Sequence, residues 1–182
     1  MQWNIPGTVL AAERKDALQL ERQFDSMFLG GGIVLSQVSA VTGLEPYTVQ
    51  NWVKRGFLSP PERKKYSKRQ LCRIIIINML KSVLPMDQIC GLLSYINGHL
   101  DDESDDIIDD SQLYFMFIRM AVHATVMQNP EGRDRIIARE LEDYREPLPG
   151  ARERVEKVLR IMLTAWASAQ LRAQTEKLLA EL

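Results

Sequence analysis

Apolar residues recur at helical spacing along most of this 182-residue chain, and that pattern limits the folds that it can adopt. The β-branched signals of extended sheet are sparse, whereas glycine and proline separate the periodic segments at 30–32, 85, 129–132 and 147–150. Hydrophobic residues make up 46% of the chain, which is enough for a packed core and argues against wholesale disorder. The sequence therefore predicts an all-α fold.

The breaks divide the predicted helices into three regions. We predict an N-terminal helical arm over 1–32, containing an amphipathic helix from Val9 to Leu29. A domain of short helices over 33–99 follows. The last region, 100–182, is predicted to be a helical bundle for dimerisation or effector binding, with helices over 111–128, about Arg133 to Tyr144, and about Ala151 to the end.

Local chemistry suggests where three helices of the middle region begin. Ser36 is a candidate cap for the first short helix. Pro46 suits the first position of the second, and the Ser-x-x-Gln pattern from Ser67 to Gln70 predicts a capping box for the third.

Membrane spans and secretion signals are not indicated. The apolar runs are interrupted well before the roughly 18 residues that a membrane helix needs. The first residues, MQWNIPGTVLAAERKD, lack the basic head, apolar run and cleavage site of a secretory leader. We therefore expect a cytoplasmic location and no membrane partner.

Residue types that support catalysis or metal binding are scattered. Cys72 and Cys90 stand in neither a Cys-x-x-Cys nor a His-rich setting, so we predict two core thiols and no metal or cofactor. His123 lies in a mostly apolar segment and is predicted to be a core histidine. No Ser-His-Asp set, phosphate loop or carboxylate pair is evident, which argues against an enzyme.

Charge is segregated along the chain although the formal net charge is only −1. Eight basic residues and one acid fall between Lys54 and Arg73, whereas seven acids and no base fall between Asp101 and Asp110. We interpret the acidic run as a solvated linker that ends in a helix cap.

The basic block follows two short helices joined by a tight turn at Thr42-Gly43-Leu44. This arrangement predicts a helix-turn-helix, whose second helix can lie in the major groove of DNA. Val49 and Trp52 are expected to lock the two helices together as core residues. The basic block lies where such a protein needs cations for the phosphates.

Several motifs here resemble those of MerR-type winged helix domains. The first is Leu35–Val38, Thr42–Leu44 and Thr48–Leu58, and the second is Tyr66-Ser67-x-x-Gln70-Leu71. The third runs from Arg73-Ile74 through Lys81–Ile89 to Leu92-Leu93. The layout of the whole chain also resembles a bacterial family known only as a domain of unknown function, whose members are regarded as MerR-like regulators.

The resemblance implies a sequence-specific transcriptional regulator that binds double-stranded DNA as a homodimer. Gln50 and Asn51 would pair with adenine and Lys54 with guanine, from the second helix. The matching tyrosine of the family touches backbone phosphate. The full set of predicted DNA-binding residues is Gln50, Asn51, Lys54, Arg55, Arg63, Lys64, Lys65, Tyr66 and Lys68.

The chain also departs from the MerR pattern. Gln50 replaces the usual arginine, and Trp52-Val53 replace Tyr-Glu. The wing, 59–65, is short, and the acidic run stands where a dimerising coiled coil normally follows. The known effector ligands of the family are absent, so no effector is predicted.

These departures leave a second hypothesis open, in which the helix-turn-helix has been repurposed as a protein-interaction module. The acidic run would then cover the basic face or recruit a basic partner. An architectural DNA-binding protein similar to phage excisionases is a variant of the first hypothesis.

Overall fold

Eight α-helices and two small antiparallel sheets make up the part of the chain that the computed structural model describes, residues 2–13, 17–100, 102–123 and 129–182. The helices are α1 (Ala17–Met27), α2 (Leu35–Thr42), α3 (Pro46–Lys54), α4 (Lys68–Leu80), α5 (Met86–Asn97), α6 (Asp110–Ala121), α7 (Pro130–Glu140) and α8 (Ala151–Ala180). The strands are β1 (Gln2–Asn4), β2 (Ala11–Glu13), β3 (Ile33–Val34) and β4 (Lys65–Tyr66), and Glu103–Asp105 form a 3₁₀ turn. The predicted, predominantly helical fold is confirmed.

Helix α4 occupies the centre of the fold. Its four consecutive isoleucines, 74–77, are all fully buried, and so are Leu71, Cys72 and Leu80. A helix can bury four successive residues only when neighbours cover every face. Here α6 packs along α4, and α2, α5 and α8 contact its other sides.

Aromatic side chains join the outer helices to this centre. Phe115 of α6 meets Phe24 of α1 edge-on at a centroid distance of 5.4 Å. Phe117, also on α6, meets Trp166 of α8 at 5.9 Å. Residues from all three predicted regions therefore share one hydrophobic core. None of the described helices is both long and apolar enough to cross a bilayer.

The N-terminal segment differs from its prediction. Instead of one helix from Val9 to Leu29, residues 11–13 form β2, which pairs antiparallel with β1, and α1 begins only at Ala17. The hairpin loop is bonded to distant parts of the chain. The amide of Val9 donates to the carbonyl of Val41 at 3.0 Å, and the Tyr114 hydroxyl donates to the carbonyl of Pro6 at 2.9 Å.

The predicted starts of two helices, α3 and α4, are confirmed. Pro46 occupies the first turn of α3, and Ser67 caps α4 by accepting from the Gln70 amide. In return the Gln70 side chain accepts from the Ser67 amide at 2.9 Å, which completes the capping box.

Other predicted boundaries are wrong. Ser36 does not cap α2, because the helix already begins at Leu35 and the Gln37 side chain accepts from the Val34 amide. The last break before α7 is placed correctly between two helices, but α7 begins at Pro130 rather than at about Arg133, since the Asn129 side chain accepts from the Glu131 amide and caps it.

The predicted helix over 111–128 corresponds to α6, which begins at Asp110 and ends at Ala121. Residues 124–128 of that prediction lie outside the described residues. His123 is exposed just beyond α6, so the prediction of a core histidine is wrong.

The fit of the N-terminal loop on α4 can be tested at Gly7. Its φ is +77°, and a Cβ there would lie 2.4 Å from the carbonyl oxygen of Ile75. We expect Gly7→Ala to lower the free energy of unfolding by about 2–4 kcal/mol, measured by urea denaturation. Gly91 of α5 has open space around its Cβ position, so Gly91→Ala should instead stabilise the protein by about 0.5–1 kcal/mol. An unchanged urea midpoint for Gly7→Ala would contradict the close contact.

Candidate nucleic-acid interface

Helix α3 divides into a buried face and an exposed face. Val49 and Trp52 are buried, as predicted, and they hold α3 in the core. Tyr47, Gln50, Asn51 and Lys54 are all exposed, and their spacing places them on one side of the helix.

The turn between α2 and α3 fixes the angle of the two helices. Gly43 has a φ of +70° and ends α2 in the left-handed conformation that favours glycine. The Thr42 hydroxyl donates to the Val38 carbonyl at 2.8 Å and accepts from the Leu44 amide at 3.2 Å. The Thr42 hydroxyl therefore satisfies backbone groups at the end of α2, where the hydrogen bonds of the helix stop.

Strands β3 and β4 form a two-stranded ribbon, with Ile33 opposite Tyr66 and Val34 opposite Lys65. The chain enters β4 through a four-residue turn, 62–65, which we call the wing turn. The amide of Lys65 donates to the carbonyl of Glu62 at 2.8 Å and closes it. Its central residues, Arg63 and Lys64, have φ values of +47° and +64°. Positive φ values are uncommon for residues other than glycine and asparagine.

One groove lies between α3 and the wing turn. It has a volume of about 570 Å³. Its lining residues are Val34, Leu35, Ser36, Gln50, Val53, Pro61, Lys64 and Tyr66. Three predicted DNA-binding residues, Gln50, Lys64 and Tyr66, therefore line the same depression, although Gln50 and Lys64 lie 14 positions apart in the sequence.

The basic block does not present a uniform charged face. Lys54, Arg63 and Lys64 are exposed and make no ion pair or side-chain hydrogen bond with any residue that the structure describes. Arg55 stacks over the ring of Phe57, with its guanidinium carbon 4.6 Å from the centroid.

Three other predicted site residues are engaged within the fold. The Lys65 ammonium donates to the carbonyl of Gly30 at 2.7 Å. The Lys68 ammonium contacts Asp25 at 2.6 Å and Glu21 at 3.5 Å, both on α1. Tyr66 is buried beneath the ribbon, and this burial raises the pKa of its hydroxyl.

Part of the acidic run folds back onto the basic block. Arg69 lies 2.5 Å from an Asp106 oxygen and 3.8 Å from an Asp110 oxygen. The prediction of a solvated linker is therefore wrong for these two acids. The predicted cap is confirmed, because Asp109 accepts from the Ser111 amide at the start of α6.

A buried polar network links the exit of α3 to the helices around it. Arg73 is only 6% exposed and Asp110 only 1%. The Arg73 guanidinium donates to the carbonyl of Phe57 at 3.1 Å and to Asp110 at 3.2 Å. Asn97 of α5 donates to the other Asp110 oxygen at 2.9 Å. Burial raises the pKa of the Asp110 carboxyl, whereas Arg73 and Arg69 oppose that shift.

Among the described residues, no group of three or more histidines, cysteines or acids could hold a metal ion. Cys72 is buried in α4 and Cys90 is half-buried in α5, and both are free thiols. Burial raises the pKa of each thiol. Both side chains therefore favour the neutral, less reactive form.

One exposed residue of this surface, Tyr47, is not among the predicted site residues. Tyr47 is 70% exposed and lies on the same side of α3 as Gln50 and Asn51. Its position three residues before Gln50, directly after the helix-starting Pro46, was the available signal.

Comparison with known proteins gives a partial match. Residues 33–117, which run from β3 into α6, match the family model described as Domain of unknown function (DUF1836). The chain is also 33% identical over 86 residues to Uncharacterized protein YkrK of Bacillus subtilis (strain 168). That similarity covers 45% of this chain and 37% of the relative's length. No solved structure matches the chain.

The matched segment contains both the exposed face of α3 and the Arg73–Asp110 pair. Asp110→Ala would leave the Arg73 guanidinium buried without its carboxylate, so we expect a loss of about 3–5 kcal/mol in the free energy of unfolding. Thermal or urea unfolding would measure it. Replacing both partners, Arg73→Met with Asp110→Leu, should cost less than the sum of the single substitutions. The exposed Asp143→Ala is a matched control and should change stability by less than about 0.5 kcal/mol. A mild effect of Asp110→Ala would contradict the network.

Proposed function

We propose that this protein is a sequence-specific regulator that binds double-stranded DNA as a homodimer, through a MerR-like winged helix-turn-helix over residues 33–99. The observation that carries the proposal is the groove with Gln50 of α3 on one side and Lys64 of the wing turn on the other. A winged domain needs this arrangement, because one element reads bases while the other holds the adjacent backbone.

In this proposal α3 lies in the major groove. Its exposed amides, Gln50 and Asn51, can each form two hydrogen bonds with adenine, and Lys54 can donate to guanine. The buried Trp52 fixes the rotation of α3, so that the polar side faces outward.

The wing turn contacts the phosphate backbone. Arg63 and Lys64 have no partner among the described residues, and the turn holds them in the left-handed region, which costs about 1 kcal/mol or more for each side chain. Glycine would remove that cost. A basic pair kept at strained positions therefore supports a role in binding an anion.

We assign supporting roles to the other basic-block residues. Lys65 and Lys68 fix the ribbon and α4 through their contacts with Gly30 and Asp25. Tyr66 packs beneath the ribbon, and Arg55 extends the basic edge of α3 from its stacked position on Phe57.

The end of α8 is our candidate dimer surface. Every residue from 170 to 182 is exposed, although α8 continues to Ala180. Leu171 and Leu178 are seven residues apart within α8, which places them on one side of the helix. The exposed part of α8, from residue 170 on, packs on no other described element of the protomer, so pairing with a second copy would bury its leucines.

The wing turn gives the first test. Substituting glycine at both central positions, Arg63→Gly with Lys64→Gly, should weaken binding to all DNA sequences similarly. The slope of log affinity against log salt should become shallower by about two units, because two counterions fewer are released. Folding stability should stay equal or rise, since glycine tolerates the positive φ. Fluorescence anisotropy at several salt concentrations and urea denaturation measure the two effects.

The matched control for the wing turn removes two exposed cations elsewhere, Arg135→Gln with Arg145→Gln. Their loss should leave the salt slope nearly unchanged. A wing-turn variant that binds DNA as well as the parent at every salt concentration would contradict the proposed phosphate contacts.

The leucines of α8 give the second test. Leu171→Glu with Leu178→Glu should convert a dimer into a monomer at micromolar concentration, as measured by light scattering. Both side chains are exposed in one protomer, at 63% and 58%, so the fold of the protomer should survive. The exposed Leu148→Glu is the control. A parent protein that is already monomeric would reject the dimer.

The alternative, a protein-interaction module, is favoured by the apolar walls of the groove. Val34, Leu35 and Val53 line it, and Val34 is 41% exposed. An apolar segment of a partner would fit these walls. DNA binding that is absent at low salt, together with an intact fold, would favour this alternative.

A further inference from the structure

Tyr47 stands apart from the other large aromatic residues of the described chain. Its side chain is 70% exposed, and its ring makes no hydrogen bond or ring contact with any described residue. Tyr95, another exposed tyrosine at 42%, has the Arg154 guanidinium on its ring, 4.7 Å from the centroid. An uncovered ring on a rigid helix offers apolar area at little conformational cost.

The position of Tyr47 on α3 determines what this ring can reach. It lies in the first turn, one residue after Pro46, and shares its side of the helix with Gln50 and Asn51. In helix-turn-helix complexes the N-terminal residues of the second helix contact base edges. Because Tyr47 shares a side of α3 with Gln50 and Asn51, its ring faces the major groove when these two amides contact bases there.

The chemistry of the major groove gives an apolar group for this ring. Thymine carries a C5-methyl group there, next to the adenine N6 and N7 atoms that an Asn or Gln side chain pairs with. An A·T pair thus presents both a bidentate partner for an amide and an apolar patch for an aromatic ring.

We infer that Tyr47 is a specificity-determining residue, whose ring packs on the methyl group of a thymine in the site that α3 reads. The inference rests on the proposed DNA-binding function and identifies part of the sequence that it selects. Tyr47 adds preference for A·T pairs beyond that supplied by Gln50 and Asn51.

The test begins with a DNA site selected by the full-length protein from random double-stranded fragments. Each thymine of that site is then replaced singly by uracil, which removes only the methyl group. At one position or more, the replacement should weaken binding by the parent about fourfold, the effect of losing one buried methyl contact. Tyr47→Ala should abolish that difference, and Tyr47→Phe should keep it.

Tyr95→Ala is the matched control, because it removes an exposed tyrosine from α5 and should keep the uracil effect. An equal uracil effect in the parent and in Tyr47→Ala would overturn the inference, and so would the absence of any uracil effect. If Tyr47→Phe weakens binding to thymine and uracil sites alike, the hydroxyl rather than the ring makes the contact, which also overturns it. If no DNA is selected at all, the proposed function itself fails.

Discussion

The rest of the structure depends on the burial of α4 around its whole circumference. Four adjacent isoleucines must leave water together, so α2, α5, α6 and α8 have to approach from different directions. The N-terminal loop also packs on α4, and Gly7 of that loop lies so close to Ile75 that a Cβ would clash with the Ile75 carbonyl oxygen. Helix α3 does not belong to this inner layer. It is attached through Val49 and Trp52, which leaves its opposite side free of the protein.

The parts of the fold that local chemistry determines could be predicted from the sequence. Pro46 and the Ser67–Gln70 capping box mark helix starts, because the groups that satisfy each helix end lie within three residues of it. The β1–β2 hairpin could not be predicted in this way. Its loop carbonyl at Gly7 bonds to Asn78, 71 positions further along the chain. Helical spacing within 9–29 carries no information about such a partner.

In the candidate site, too, features set by local spacing could be predicted, whereas those set by distant contacts could not. Gln50, Asn51 and Lys54 are predicted on the second helix beside a core Trp52, and their exposure follows from helical periodicity once Trp52 is buried. Tyr47 was missed, because the matching motif begins at Thr48. The contacts of Lys68 with α1 and of Arg69 with the acidic run were also missed, since charge counted along a sequence does not reveal which acids return to it. The proposed DNA-binding surface is consequently smaller than the basic block.

This internal neutralisation has a consequence for how a polyanion approaches the protein. Arg69 and Arg73 are paired with Asp106 and Asp110, so within the basic block the positive charge that faces solvent comes mainly from the cations along α3 and the wing turn. At physiological ionic strength that field decays over a Debye length of about 8 Å. Under the proposed function, long-range steering is therefore weak, and encounters with DNA would become productive only within about one helix diameter of Arg63 and Lys64. Association rates would then be set by the orientation at contact rather than by attraction at a distance.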